Sequence, residues 1–220
     1  MRILLIGYGK MGHAVEQVAL QRGHTIAGQI DKDSLHLWDS IDCDVAIEFS
    51  TPPTALGNVQ RALQKGIPVV SGTTGWDVDS LLKGYPTSGT PWIWSPNYSI
   101  GVQLFFLLNR QLAHLLQPWQ QYRPAITETH HIHKLDKPSG TAKHLVQDLQ
   151  AEGYPSVSIA SIRAGEVAGI HTVDWDSEED TITISHSAKS RAGFALGAVI
   201  AAEWLQGKTG AHTMEEVMKG

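Results

Sequence analysis

Three features of the chain predict an α/β protein: a doubly wound parallel sheet joined to a second, α+β domain built on a mixed open sheet. Strands and helices alternate over the first hundred residues. A glycine turn links the first strand to the first helix. Beyond residue 99 the alternation stops, and several strands follow with a single helix among them. Regular strand–helix alternation builds a parallel sheet with helices on both faces, whereas clustered strands build an α+β layer.

Each element has its own local reason. Arg2–Ile6 is a continuous apolar run and reads as a buried strand. After "GYGKMG", Met11, Ala14, Val15, Val18 and Ala19 recur at helical spacing, and Gly23 supplies a stop. "TIAGQID" is the second strand and residues 44–49 the third. "STPPTALGNVQRALQKG" has Ser50 or Thr51 as a cap, prolines in the first turn and Gly66 at the end, the signature of a helix. "IPVVSG", "VDSLLKG" and "PWIWS" continue as strand, short helix and strand. Residues 99–116 form a largely apolar helix. Gln103, Asn109, Arg110, Gln111 and His114 interrupt it, so it falls short of the ~20 predominantly apolar residues a membrane span needs.

The later strands are "PAITETHH", "VSIASIR", "EVAGIHTVDW" and "DTITISHSA", the last alternating Ile182 and Ile184 with Thr181, Thr183 and Ser185. "DSEED", at 176–180, is a hairpin connection, and a helix over 141–150 covers one face of this sheet. The other face then needs a partner, such as a second subunit. A last helix over 193–205 and the tail 214–218 return to the first domain. The expected division is 1–98 with 191–220, and 99–190.

Composition narrows the function. A formal net charge of −5, with Lys and Arg scattered, excludes the clustered basic surface that nucleic acid requires. Cys43 is the single cysteine and cannot form an internal bridge, which favours a reducing, cytoplasmic setting. The first residues lead straight into a strand, without a signal-peptide pattern.

"GYGKMG" sets Gly7, Gly9 and Gly12 in G-x-G-x-x-G spacing between a strand and a helix, with Asp31 at the end of the next strand. This is the Rossmann-type pattern. Glycines let backbone amides approach a pyrophosphate at a helix start, and the acid meets the ribose hydroxyls of NAD. Lys32 suits a 2′-phosphate instead, so NADH and NADPH both remain open. "SGTTG" and "SPNYS" follow the fourth and fifth strands, where loops face the cofactor crevice. Gly72, Thr73 and Thr74 then line the nicotinamide end, and Asn97 holds its carboxamide or ribose.

"ETHHIHKLDKPSGTA" admits three chemistries. Read as a strand, it puts Glu128, His130, Ile132 and Lys134 on one side and Thr129, His131 and His133 on the other. A metal site would use His131 and His133 with Asp136 or His130, giving a metal-dependent hydrolase. A solvated polar loop is the plain alternative. An acid–base centre would pair a histidine near neutrality and a lysine with the start of the helix after Ser139-Gly140-Thr141, where free amides bind a carboxylate. A non-catalytic NAD(H)-sensing module is a further alternative, although a sensor needs no proton donor.

With "GYGKMG", "GTTG", "PNYSIGV", "SIRAGEVAGIHTV" and above all "HHIHKLDKPSGTA", the chain resembles the dihydrodipicolinate (4-hydroxy-tetrahydrodipicolinate) reductase family of the diaminopimelate route to lysine. The resemblance implies an NADH- or NADPH-dependent oxidoreductase acting on a small cyclic dicarboxylate, and a cytoplasmic homotetramer assembled through the central sheets. It implies His130 as catalytic acid–base and Lys134 as catalytic lysine. Substrate contacts would come from His131, Ser139, Gly140 and Thr141. Cofactor contacts would come from Gly7, Tyr8, Gly9, Lys10, Met11 and Gly12, from Asp31 and Lys32, from Gly72, Thr73 and Thr74, and from Ser95, Pro96, Asn97 and Tyr98. No metal is implied. The chain is shorter than many members between Asp33 and Asp44, and Pro96 stands where a small residue is frequent.

Overall fold

The computed structural model describes residues 1–86 and 88–220, with Leu35 and Asp39 described by backbone alone. The chain divides into two compact units, Met1–Ile100 with Arg191–Gly220, and Gly101–Ser190.

The first unit carries β1 (Arg2–Ile6), α1 (Lys10–Gln21), β2 (Thr25–Ile30), β3 (Val45–Glu48), α2 (Pro52–Gln64), β4 (Val69–Ser71), α3 (Val78–Gly84) and β5 (Trp92–Trp94). A 3₁₀ turn, Leu35–Asp39, occupies the short segment between β2 and β3. The six-stranded sheet has the order β10-β5-β4-β3-β1-β2, and all its pairings are parallel. β1, β3 and β4 are buried on both faces, as the central strands of such a sheet must be. Gly23 and Gly66 both take positive φ just past α1 and α2, the conformation glycine adopts most readily at a helix end.

The chain returns to this unit as α6 (Ala192–Trp204), β10 (Ala211–His212) and α7 (Met214–Lys219). α6 is apolar apart from Glu203, which pairs with Arg22 and His24, and buries Ala195, Ala198, Ala201 and Ala202 with Val15 and Ala19 of α1 in one cluster. Its small residues permit close approach: a Cβ at Gly197 would lie 1.7 Å from the carbonyl oxygen of Tyr98. β10 has two residues and exists only through its pairing with β5, so no local pattern announced it. α7 opens with a capping box in which Thr213 accepts from the Glu216 amide and Glu216 accepts from Thr213. Thr213→Ala should therefore cost about 1 kcal/mol, read as a lower urea midpoint with an unchanged slope.

The second unit holds α4 (Ile100–Leu116, counted from Gly101), β6 (Arg123–His130), α5 (Gly140–Ala151), β7 (Ser158–Arg163), β8 (Ile170–Asp176) and β9 (Thr181–Ser187). The sheet order is β7-β6-β8-β9, with β6 parallel to β7 and antiparallel to β8. Two helices cover one face where the sequence predicts one. Val102, Phe105 and Phe106 of α4 and Leu145 and Leu149 of α5 share a cluster with Ile126, Val173 and Trp175. Ala125, Thr127 and Thr129 of β6 and Thr172 and Asp174 of β8 point to the other face and are half-buried.

Two further expectations need correcting. β8 begins at Ile170 and not at Glu166, because residues around Gly165 and Gly169 turn with positive φ. β6 stops at His130, so the predicted alternation through Ile132 and Lys134 does not occur. The amide of Ala164 instead bonds the His130 carbonyl at 2.9 Å and that of Ile132 the Gly165 carbonyl at 3.1 Å, which turns the chain off the strand.

Candidate active site

The first unit offers loops at the carboxyl ends of parallel strands. The chain leaves β1 for β2 on one side and reaches β3 on the other, a switch point where sheets of this kind bind ligands. Gly7 has φ +86°, its amide bonds the Ile30 carbonyl at 2.8 Å, and a Cβ there would stand 2.2 Å from the Phe49 carbonyl oxygen. At Gly12 a Cβ would stand 2.5 Å from the Gly7 carbonyl oxygen, so this glycine lets α1 rest on the turn. Gly9 is different: it caps α1 without a side-chain hydrogen bond, and a Cβ there would meet no atom within 4 Å. Open backbone amides at the start of a helix fit a pyrophosphate.

The other predicted cofactor residues divide by what their side chains already do. The Tyr8 ring packs against His13 with centroids 4.0 Å apart and its hydroxyl bonds Glu16, while Met11 packs into the core. Lys10, Asp31 and Lys32 are exposed, and the Lys32 amide bonds the Asp31 carboxylate at 2.8 Å. Thr73 is buried: its hydroxyl donates to Glu48 at 2.7 Å, and its carbonyl accepts from Trp76 and Trp94. Thr74 is exposed, and Gly72 packs under Phe49, whose ring a Cβ would strike at 2.0 Å. Ser95 bonds the backbone of Asn97, whose Oδ1 accepts from the Ser99 amide at 2.9 Å, and Pro96 is exposed. Tyr98 is buried with its hydroxyl on the Ser71 carbonyl at 2.8 Å, so its ring belongs to the core.

Sequence reasoning assigned nothing to Glu48. Its carboxylate is fully buried and accepts from the Ser50 amide at 2.9 Å, the Ser50 hydroxyl, the Ser71 hydroxyl at 2.6 Å and Thr73. It therefore ties the loop after β3 to the loop after β4.

In the second unit, His130 ends β6 at 8% exposure, and its Nδ1 is bonded to the fully buried Glu128. Arg163, the register partner of His130 on β7, donates from Nη2 to the other Glu128 oxygen at 3.0 Å. Burial alone would raise the Glu128 carboxyl, but bonds from Arg163, Ser161 and His130 together hold it below its usual range. Burial depresses His130 below the ordinary imidazole value, with Glu128 opposing and Lys134 and Arg163 adding to the depression. On β8, His171 faces His130 edge-on with ring centroids 5.0 Å apart, and burial first, then His130, push it down to about 4. His171 is thus neutral at neutral pH, and its Nε2 is bonded to Ser139 at 2.9 Å.

Lys134 lies in the turn after β6, its ammonium 2.8 Å from Asp136 and its carbonyl accepting from Arg163 at 3.2 Å. The chain then passes a cis Lys137–Pro138 bond to Ser139, which caps α5 by accepting from the Ala142 amide at 3.2 Å. Ser139 is 2% exposed and its hydroxyl is bonded to the Ala142 amide and His171. Gly140 is exposed and Thr141 half-buried at the start of α5. The His131 and His133 rings stand 5.9 Å apart, and His133 pairs with the exposed Glu166.

Among the described residues, the group close enough to share a metal ion is Glu128, His130 and His171, with ligand atoms within 4.8 Å of one another. It does not contain His131 or His133, so the geometry does not assemble the trio behind the hydrolase alternative. Arg163 already compensates the one carboxylate of the group. Four residues that sequence reasoning left without roles, Glu128, Arg163, Gly169 and His171, surround His130. Only Glu128, two residues before His130 on one strand face, carried a local signal.

Comparison with known proteins covers nearly the whole chain. Residues 1–98 match the family described as dihydrodipicolinate reductase, N-terminus, and residues 101–218 match dihydrodipicolinate reductase, C-terminus. The 4-hydroxy-tetrahydrodipicolinate reductase of Christiangramia forsetii is 42% identical over 99% of this chain and 98% of its own. That of Akkermansia muciniphila is 33% identical over 98% and 97%. A dipicolinate-bound dihydrodipicolinate reductase from Paenisporosarcina sp. TG-14 shares the fold, with TM-score 0.77 and 21% identity over 97% of both chains.

Proposed function

The chain belongs to the dihydrodipicolinate reductase family, and we propose that it reduces 4-hydroxy-tetrahydrodipicolinate to tetrahydrodipicolinate with loss of water. The observation that carries this reading is the buried Glu128–His130 pair beside Lys134, next to the start of α5. A nicotinamide coenzyme, when bound, supplies the hydride. Residues 7–12 would hold its pyrophosphate, Asp31 or Lys32 its adenine ribose, and the loops 72–74 and 95–98 its nicotinamide half.

The chain's own residues handle charge and one proton. The ring-borne carboxylates of the substrate meet Lys134, His131 and the amides of Gly140 and Thr141, at a helix start that favours anions. Glu128 on Nδ1 fixes the tautomer and ring of His130 and leaves Nε2, beside Gly169, as the atom that delivers the proton. The balance is one hydride and one proton in, one water out. We place the enzyme in the cytoplasm, in the diaminopimelate route to lysine, as a homotetramer. The sheet face bearing Thr127 and Thr172 forms the shared interface; sedimentation of a monomer would refute that assembly. No helix among the described residues is long and apolar enough to cross a membrane.

The test is oxidation of NADH and of NADPH with freshly prepared substrate, with and without EDTA. Turnover indifferent to EDTA is expected; its absence with both coenzymes, or its loss to the chelator, would overturn the reading.

The pH dependence has a definite sign. The proton donor must be charged, and burial lowers free His130 below its ordinary value of 6.5. Thus kcat/KM should fall as pH rises through an apparent pKa below that value. Of the groups facing His130, Glu128 opposes the shift, Lys134 and Arg163 deepen it, and His171 is uncharged there. The limb in kcat should lie at higher pH, because bound dicarboxylate stabilises the imidazolium. A kcat/KM that stays flat to pH 8, within about 10%, removes His130 as donor.

A further inference from the structure

We propose that Arg163 is a positioning residue that holds both halves of the acid–base pair, His130 through Glu128 and Lys134 through its main chain. The inference rests on the reading of His130 and Lys134 as that pair.

Arg163 ends β7 directly opposite His130, and its side chain is 8% exposed. Its planar guanidinium donates in several directions. Nη2 reaches Glu128 at 3.0 Å and the Asp136 carbonyl at 2.5 Å, Nε reaches the Lys134 carbonyl at 3.2 Å, and Nη1 reaches the Ile162 carbonyl at 2.7 Å. Three of these four acceptors lie on the segment that carries the reacting groups. The Glu128 oxygen opposite the one on Arg163 bonds Nδ1 of His130, so one carboxylate relays the orientation of the guanidinium to the imidazole.

The carbonyl contacts matter because β6 has already ended. From His131 to Asp136 the sheet ladder has ended. Among the described residues, the backbone bonds of this stretch are only those of the Ile132 amide to the Gly165 carbonyl and the Lys134 amide to the His131 carbonyl, yet Lys134 must keep a fixed place beside His130. Arg163 grips this segment at Lys134 and Asp136, while Asp136 also pairs with the Lys134 ammonium at 2.8 Å. A fixed fork of donors can serve a carboxylate and two carbonyls together; an ammonium is a point charge and cannot span them.

The experiment compares full-length R163K, E128Q and E128Q/R163Q with the wild-type chain. R163K keeps the charge beside Glu128 and loses the span. We expect kcat/KM for the dicarboxylate to fall at least 30-fold, with KM for the coenzyme unchanged. Unchanged coenzyme KM separates this from general loosening, which would lower Tm and leave turnover per folded molecule intact. Should R163K not fold, E128Q/R163Q removes both buried charges at similar size. If Arg163 acts on Lys134 independently of Glu128, the double variant is at least 10-fold worse than E128Q in KM for the dicarboxylate. Equal KM in E128Q and the double variant overturns the proposal, as does R163K with wild-type kcat/KM. A wild-type chain inert towards the substrate overturns the proposed function as well; an active wild type with indifferent variants overturns this role alone.

Discussion

His130→Ala should lower kcat by ~10²–10⁴-fold, the usual contribution of a positioned general acid, equivalent to about 3–5 kcal/mol of transition-state stabilisation. Coenzyme affinity should stay at the wild-type level, because the groups assigned to the coenzyme all lie in the first unit. The fold should survive. Removing the imidazole does not orphan Glu128, which keeps its bond from Arg163 at 3.0 Å. That distinguishes this variant from Arg163→Met, which removes the permanent charge beside the buried carboxylate and leaves it to His130 and Ser161; breaking a buried pair commonly costs about 3–5 kcal/mol. A loss in kcat with unchanged Tm and unchanged coenzyme titration is therefore the expected signature. Turnover within about three-fold of wild type would mean the proton comes from elsewhere.

How much of this site the sequence reveals depends on how local each cause is. The strand–glycine–helix turn at residues 7–12 is legible because every constraint sits within a few residues. Only its reason at Gly7 is remote, in the carbonyl of Phe49. Along β6 the alternation of Ile126, Glu128 and His130 on the covered face is equally legible. It misleads beyond His130. What ends the strand is the Ala164–Gly165 turn and the Arg163 side chain, some thirty residues onward, and no periodicity in "HHIHKLDK" records them. Glu48 is hidden for a similar reason. A glutamate ending an apolar strand reads as exposed until Ser50, Ser71 and Thr73 are seen to converge on it. His171 looks like one strand histidine among several, until sheet register sets it beside Glu128 and under Ser139. Chemistry-bearing residues could be listed from the sequence; the buried groups that orient them required the pairing of β6 with β7 and β8.

The glycine turn permits a paired prediction in which protein and ligand give different answers at neighbouring positions. Gly7→Ala puts a methyl group 2.2 Å from the Phe49 carbonyl oxygen and 2.8 Å from the Ser50 Cα, at φ +86°. Neither neighbour is a flexible side-chain end. Phe49 is hydrogen-bonded to β1, its amide reaching the Ile6 carbonyl at 2.8 Å, and Ser50 is pinned by Glu48 and Thr73. The left-handed backbone adds roughly 1–2 kcal/mol and overpacking a further 1–3, so a loss of about 2–5 kcal/mol in stability is expected. Coenzyme binding should fail with it. Gly9→Ala meets no atom of the protein within 4 Å, and Gly9 has negative φ, so the folded chain has no reason to reject it. If these amides receive a pyrophosphate, that methyl occupies the approach path. Affinity for NADH or NADPH should then drop at least ~10-fold, about 1.4 kcal/mol, with Tm unchanged. Thermal melts and coenzyme titrations of the two variants settle it: Gly9→Ala with wild-type affinity would remove the turn from the coenzyme site, since the fold alone explains Gly7 and Gly12 but leaves Gly9 without a cause.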